Sequence, residues 1–324
     1  MSVYLHDIED DDIYEDVCRA LQSKELVLFA GAGLSAQAKT DDGRHPPMWT
    51  GLLTGMIDWC CNHRMISTDE ADGIRELVNA KFLADAGQEL QDILGEPAHL
   101  QECLADVLLC NRAKISDAHR LVVRYPFRAY LTVNYDEFIE GAYWNQHGRR
   151  IQRFYQPTIE GVLRTYRQHD PFIFKLHGDI SDPSSVVLGN RSYDDVLYFN
   201  SPYQRCIESI FSMSSVLFVG FGANDPDLEG IISRVAALDG RVARHWIVTT
   251  NDTFPPLKIK RLRQDKGINV ICYQRDNEHS GLVKFLAKLG QPRGIELLNR
   301  EVDDTLKVFE RGDKISVPTF SDGK

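Results

Sequence analysis

Four short stretches put glycine, asparagine, aspartate or histidine directly after apolar runs: FAGAGLSAQA at 29–38, LTVNYDEF at 131–138, FIFKLHGD at 172–179 and VGFGANDPD at 219–227. In the first, Gly31, Gly33 and Ala36 fit the spacing of a dinucleotide turn. Glycine there lets the chain bend tightly and lets a pyrophosphate approach, and the helix that follows offers free N–H groups and its positive dipole end. The same spacing also suits a tight strand-to-helix turn that binds nothing. Ser35 is either a hydroxyl donor to such a ligand or a helix cap.

In the second stretch, Asn134 and Asp136 are good caps for the helix that follows. They are equally suited to share a pocket, the amide holding a water or a ribose hydroxyl and the carboxylate accepting both protons of a carboxamide. In the third, His177 is a lone histidine at a strand end, structural or catalytic. In the fourth, Gly220, Gly222 and Asn224 are either a capped turn or an open platform for a ribose or adenine. One absence is informative. A dehydrogenase places an acidic residue about 20 positions after the turn, on a second strand. Here the chain enters a helical block instead, so hydride transfer fits poorly.

The elements that position these residues are legible as apolar runs. Strands are expected at 26–30, 129–133, 171–176, 215–219, 245–249 and 268–273, alternating with helices. Between the first two lies a helical block from segments 49–61, 70–94, 98–109 and 117–124, with Ile74, Leu77, Val78 and Phe82 on one face of the second. Strands alternating with helices define an α/β, Rossmann-like doubly wound parallel sheet, here with a helical insertion at about 49–125. In such sheets ligands bind outside the carboxyl ends of the strands, so the four stretches converge on one crevice. The expected organisation is an acidic helical segment at 1–24 with Ile13, Val17 and Leu21 in a stripe, a nucleotide-binding domain at 25–290 with a last helix near 278–289, and a polar tail at 291–324.

Composition narrows the class. The 324 residues carry 37 Lys and Arg against 47 Asp and Glu, a formal charge of −10. A duplex-binding protein carries a basic footprint. The local clusters RLVVRYPFR and KIKRLRQDK read as solvated faces, so direct nucleic-acid binding is not expected. No apolar run approaches the roughly 20 residues of a membrane helix. The first residues lack the pattern of a secretory signal. The seven cysteines include no C-x-x-C pair, so reduced thiols in a cytoplasmic protein and no metal site are expected.

Taken in order, FAGAGLS, TVNYD, KLHGD and VGFGANDPD resemble the SIR2-like superfamily. The likeness is closer to its branch of bacterial anti-phage proteins and eukaryotic relatives than to the true sirtuin deacylases, and it covers roughly residues 25–250. PPMWTGLL, AHRLVVRYPFRAYLTVNYD and VVLGNRSYDDVL look like that branch too. The resemblance implies an NAD site. By it, Gly31, Ala32, Gly33 and Ser35 hold the pyrophosphate, and Asn134 and His177 match the catalytic pair. Asp136 matches the contact to the nicotinamide carboxamide, and Gly220, Phe221, Gly222 and Asn224 fall on the adenosine half. The zinc module of true sirtuins is missing, Val133 stands where their motif has glutamine, and Gly220–Gly222 reads GFG where theirs reads GTS. These departures bear on the acyl-peptide groove more than on the NAD site.

The chemistry so implied is cleavage of the bond between ribose C1′ and the nicotinamide nitrogen. The pyridinium leaves neutral, so no general acid is needed, unlike in an ordinary glycosidase. Without a peptide groove, water is the expected attacker and the expected activity is that of an NAD+ glycohydrolase, in anti-phage defence by NAD+ depletion. The family likeness further implies control by homo-oligomerisation or by a partner such as a HerA-type ATPase. The alternatives are a protein deacylase or ADP-ribosyltransferase, and a catalytically quiet sensor of NAD+ or ADP-ribose.

Overall fold

The computed structural model describes residues 3–4, 12–196, 201–222, 230–233 and 245–289. Asn224 and the 291–324 tail lie outside the described residues, as does most of the acidic segment before Asp12.

An eight-stranded sheet organises the chain. Its strands are β1 (Val3–Tyr4), β2 (Leu26–Ala30), β3 (Tyr130–Thr132), β4 (Gln152–Phe154), β5 (Phe172–Lys175), β6 (Ser215–Val219), β7 (His245–Thr250) and β8 (Ile268–Tyr273). They lie in the order β1-β8-β7-β6-β2-β3-β5-β4, and every pairing is parallel. β2 sits at the switch point, because the chain winds outward from it through β3 and β5 and later returns to its other side through β6.

Alternation along β2 shows why the strand is apolar throughout. Val27 and Phe29 join one core with Phe174, Phe211, Phe218 and Leu262. Leu26, Leu28 and Ala30 join the opposite core with Val17, Val122, Ile139 and Phe285. Side chains of a strand point to both faces in turn, and here helices cover both. The first face is closed by the helices Val162–Gln168, Ser201–Met213 and Pro256–Lys266, the second by Asp12–Gln22, Asp117–Arg124, Phe138–His147 and Ser280–Lys288.

A third core belongs to the helices Trp49–Asn62, Thr68–Asn79, Leu83–Leu94 and Pro97–Val107, packed around Leu53, Met56, Ile57, Leu90 and Leu104. It also takes in Tyr135, Ile180, Val186 and Leu188, which follow β3 and β5. The helical block therefore lies against the carboxyl ends of those strands.

The single helix expected over 70–94 is two. The first starts at Thr68 behind a capping box in which the Ser67 hydroxyl accepts from the Glu70 N–H and the Glu70 carboxylate accepts from the Ser67 N–H. It ends where Lys81 turns left-handed (φ 69°) and the Phe82 N–H reaches back to the Leu77 carbonyl at 2.9 Å. Phe82, expected on the buried face, is 58% exposed. The apolar stripe breaks there because the chain reverses before Leu83. The strand Gln152–Phe154 and the helices Val162–Gln168 and Ser201–Met213 have no counterpart in the sequence-based reading.

Candidate functional site

β6, β2, β3 and β5 are consecutive neighbours in the sheet. Their register pairs Ala30 with both Val219 and Thr132, and Thr132 with Lys175. Gly220, Gly31, Val133 and Leu176 are thus the first residues past the paired ends of four adjacent parallel strands. Neighbouring strands run about 4.8 Å apart, so the end of β5 lies roughly 10 Å from that of β2.

The glycines face one another. The Gly31 N–H donates to the Val219 carbonyl at 2.9 Å, and the Gly33 N–H to the Gly220 carbonyl at 2.8 Å. A Cβ on Gly31 or Gly33 would stand 2.7 or 2.8 Å from that same Gly220 oxygen. Gly220 is left-handed (φ +78°), and its Cβ would meet the Leu34 nitrogen at 2.4 Å. What comes so near the first turn is therefore the end of β6. The helix that follows, Ala32–Ser35, is a single turn, so it contributes little of the macrodipole expected from the sequence. Phe221 is buried edge-on against Phe29, with centroids 5.1 Å apart. A Cβ on Gly222 would meet no described residue within 4 Å.

A knot of polar side chains joins β2 to β3. The Asn134 amide nitrogen donates to the Gly31 carbonyl at 3.0 Å and to the Ser35 hydroxyl at 2.8 Å. Ser35 in turn donates to Asp136 Oδ2 at 2.6 Å. The other carboxylate oxygen caps the next helix by accepting from the Phe138 N–H at 3.1 Å. Thr132 completes the knot: its hydroxyl donates to the Ala30 carbonyl and accepts from the Asn134 N–H, both at 3.0 Å. Ser35, Thr132, Asn134 and Asp136 are all buried. Asp136 thus accepts from the first N–H of the following helix, and Asn134 and Asp136 both bond the Ser35 hydroxyl.

Beneath the knot is a charged cluster that sequence reasoning missed. Lys175, wholly buried, donates to the Tyr135 and Asp136 carbonyls at 2.9 and 2.6 Å. Its ammonium lies 3.2 Å from Glu140 and 3.3 Å from Asp179. Arg153 bridges Asp179 and Glu137. Burial pushes the Asp136 carboxyl above the usual carboxylate range, while Lys175 and the Ser35 hydroxyl pull it back. Burial likewise raises Glu140. Burial opposes the Lys175 charge, but Glu140, Asp179 and Asp136 outweigh it and hold the ammonium above its ordinary value. Asp179 ends below its ordinary value, because Lys175, Ser181 and Arg153 outweigh its own burial. The available signal was a lysine inside the otherwise apolar run FIFKL.

His177 follows β5 and is buried, its ring edge-on to Tyr193 with centroids 5.2 Å apart. Gly178 turns left-handed (φ +87°) where a Cβ would strike the Ser185 carbonyl at 2.1 Å. The Val187 N–H donates to the His177 carbonyl at 2.9 Å, and the Tyr135 hydroxyl to the Val187 carbonyl at 2.6 Å. The histidine backbone is thereby clamped between the β3 loop and the segment under the helical block.

On the other side of β2 a cavity of about 410 Å³ opens beside Gly33, Gly220 and Gly222, with Thr250, Tyr273 and Arg275 on its far wall. Asn134, Asp136 and His177 do not line it. The glycine turn thus separates an open cavity at the ends of β6, β7 and β8 from an enclosed polar knot at the ends of β3 and β5. Among the described residues, no group of three or more His, Cys, Asp or Glu side chains is placed to hold a metal ion. No helix among them is long and apolar enough to cross a membrane.

A doubly wound parallel sheet with a polar crevice at its switch point defines a Rossmann-like α/β protein. Residues 128–271 match the SIR2-like domain family. Three curated relatives are each described as NAD(+) hydrolase ThsA. The protein of Bacillus cereus (strain MSX-D12) is 24% identical over 247 residues, 75% of this chain and 46% of its own. That of Acinetobacter baumannii (strain 532279) is 25% identical over 231 residues, 70% of this chain and 42% of its own. That of Enterococcus faecium is 27% identical over 226 residues, 67% of this chain and 41% of its own. The chain spans less than half the length of these relatives.

Proposed function

We propose that this chain is an NAD+ hydrolase that cleaves the nicotinamide–ribose bond to give nicotinamide and ADP-ribose. The observation that carries the reading is the division of the strand-end crevice by the Gly31–Gly33 turn. An open cavity on one side suits the adenosine half, and a knot of Ser35, Asn134 and Asp136 lies on the other. The relatives described as NAD(+) hydrolases support the same substrate.

In this reading the turn from Gly31 to Ser35 carries the pyrophosphate between the two halves, and Gly220–Gly222 borders the adenosine. The Asn134 amide nitrogen is engaged within the protein, which leaves its carbonyl oxygen to fix a ribose hydroxyl or a water. A carboxylate has about four acceptor positions. Asp136 uses one on Ser35 and one on the Phe138 N–H, and the remaining ones take the carboxamide of the departing ring. His177 orients the ribose and receives a proton from the attacking water. Positioning and charge stabilisation of an oxocarbenium-like ribose do most of the work, since the leaving group departs neutral.

An unregulated NAD+ hydrolase is toxic to its own cell. Homo-oligomerisation or a separate protein such as a HerA-type ATPase is the proposed control, and NAD+ depletion during phage infection the proposed role. The test is to incubate the protein with NAD+, quantify nicotinamide and ADP-ribose, and compare Asn134→Ala and His177→Ala. Stoichiometric products from the parent and at least a hundredfold loss in both variants, about 2.7 kcal/mol of transition-state stabilisation, are expected. Full activity in both variants would refute the site. Nicotinamide release only in the presence of an acylated peptide would instead favour a deacylase.

A further inference from the structure

We infer that Lys175 is a positioning residue for the site: it holds the Asn134–Asp136 loop in its working geometry through the Tyr135 and Asp136 carbonyls. The inference rests on the NAD+ hydrolase reading for its kinetic consequence and on geometry alone for its structural one.

A lysine is among the residues least often fully buried, and burying its charge is costly unless paired and hydrogen-bonded. Here the ammonium is placed to act on a backbone. Its two short contacts go to successive carbonyls, of Tyr135 and Asp136, at 2.9 and 2.6 Å. Those peptide units follow Asn134 directly and precede the Asp136 cap on Phe138. An ammonium has three donors, and a charge-assisted bond is about twice as strong as a neutral one. Rotating the loop carbonyls away would break both of these charge-assisted bonds inside the core.

The carboxylates of Glu140 and Asp179 lie behind the ammonium at 3.2 and 3.3 Å and keep it charged. The loop is held a second time by the Ile180 N–H, which donates to the same Tyr135 carbonyl at 3.1 Å. Lys175 and Ile180 flank His177 in sequence. One clamp thus fixes the β3 loop, which bears Asn134 and Asp136, against the β5 loop, which bears His177.

The groups that act on Asp136 are Lys175 on β5, the Ser35 hydroxyl and the Phe138 N–H, with Glu140 on the following helix and Cys110 also feeling its charge; Glu137, Asp179 and Arg153 lie in the cluster around Lys175. Lys175 is the cation that opposes the burial of Asp136 most. Removing it moves the Asp136 carboxyl further up.

The experiment compares the parent chain with Lys175→Met, Lys175→Met/Glu140→Gln and Glu140→Gln. The double variant avoids leaving both carboxylates uncompensated. Glu140→Gln keeps both carbonyl bonds and serves as the control for damage to the cluster. Displacing reacting groups by about 1 Å costs on the order of a hundredfold. Both Lys175 variants are expected to lose about ten- to a hundredfold in kcat with KM little changed, because the adenosine cavity is untouched. The acid limb of their pH–rate profile should shift to higher pH. Amide exchange at 133–137 should accelerate at least about tenfold relative to the rest of the sheet. Glu140→Gln, which keeps both carbonyl bonds, should lose less in kcat than either Lys175 variant.

Parent-like kcat and acid limb in a folded Lys175 variant overturn the inference. So does a loss in Glu140→Gln as large as in Lys175→Met, and so does failure of both Lys175 variants to fold while Glu140→Gln loses about a hundredfold or more in kcat. If the parent releases no nicotinamide, the hydrolase reading falls, and the exchange rates at 133–137 alone decide whether Lys175 holds the loop.

Discussion

The Ser35 hydroxyl stands 2.6 Å from the Asp136 carboxylate, joining the turn after β2 to the loop after β3 across 101 residues of sequence. This bond, with the Asn134 amide beside it, makes one rigid unit from two strand ends that are polar for different local reasons. It also limits what Asp136 can do, because the carboxylate is a structural acceptor before it meets any substrate.

Ser35→Ala removes that donor and leaves a buried carboxylate oxygen short of a partner. A loss of about 1–3 kcal/mol in unfolding free energy is expected, read from denaturant titration. The hydroxyl also holds the Asp136 carboxyl down. Nicotinamide release in the variant should therefore need a higher pH than in the parent, and an unmoved pH profile would argue against Asp136 as a working carboxylate.

Asn134→Asp is nearly isosteric but turns the paired donor into an acceptor. The new oxygen would face the Gly31 carbonyl, which the Asn134 amide nitrogen now meets at 3.0 Å. The substitution should destabilise more than Asn134→Ala, by about 1–3 kcal/mol on thermal or chemical denaturation. Equal stability of the two variants would mean that the amide nitrogen does not bridge the strands.

Gly220→Ala and Gly222→Ala should behave oppositely. The first puts a Cβ on a left-handed residue 2.4 Å from the Leu34 nitrogen, so about 2–4 kcal/mol of strain and overpacking is expected. The second meets no described residue within 4 Å and should leave the melting temperature unchanged. Any effect of Gly222→Ala should appear in NAD+ affinity, measured by calorimetry, because that residue borders the cavity.

His119 gives the protein an acid-sensitive element outside the site. It is fully buried, and burial pushes its pKa down to about 3, with Arg120 adding to the effect. The folded protein keeps this imidazole neutral while the unfolded chain protonates it below its ordinary value near 6.5. The unfolded state then binds more protons, so stability falls as pH drops through that window and stops falling near the folded value. Between pH 7 and pH 5 the residue should cost about 2 kcal/mol of stability. His119→Gln should flatten the pH dependence by that amount in matched denaturant titrations, and parallel curves would refute the assignment.

Much of the architecture is written locally. Leu26–Ala30, Ser215–Val219 and Ile268–Tyr273 are apolar runs bounded by glycine or polar residues, and each forms a strand over those residues. A strand buried on both faces needs no alternation, so the run itself is the signal. The residue types after β2, β3, β5 and β6 were legible for the same reason, as was their placement along one edge of the sheet, since all strands in such a sheet point one way; that the Gly31–Gly33 turn parts them into a cavity and an enclosed knot was not. The break at Lys81 was not legible, because Leu77, Val78 and Phe82 keep helical spacing across a reversal made by backbone geometry. Which atoms meet was also decided only by the fold. Gly31 and Gly33 are kept small by the backbone of Gly220, the Asp136 carboxylate is held by Ser35, and Lys175 grips the carbonyls of Tyr135 and Asp136. Apolar period is a property of one segment and can be read from it. Close contact is a property of which strands become neighbours and in what register, and that is set by the packing of the whole sheet.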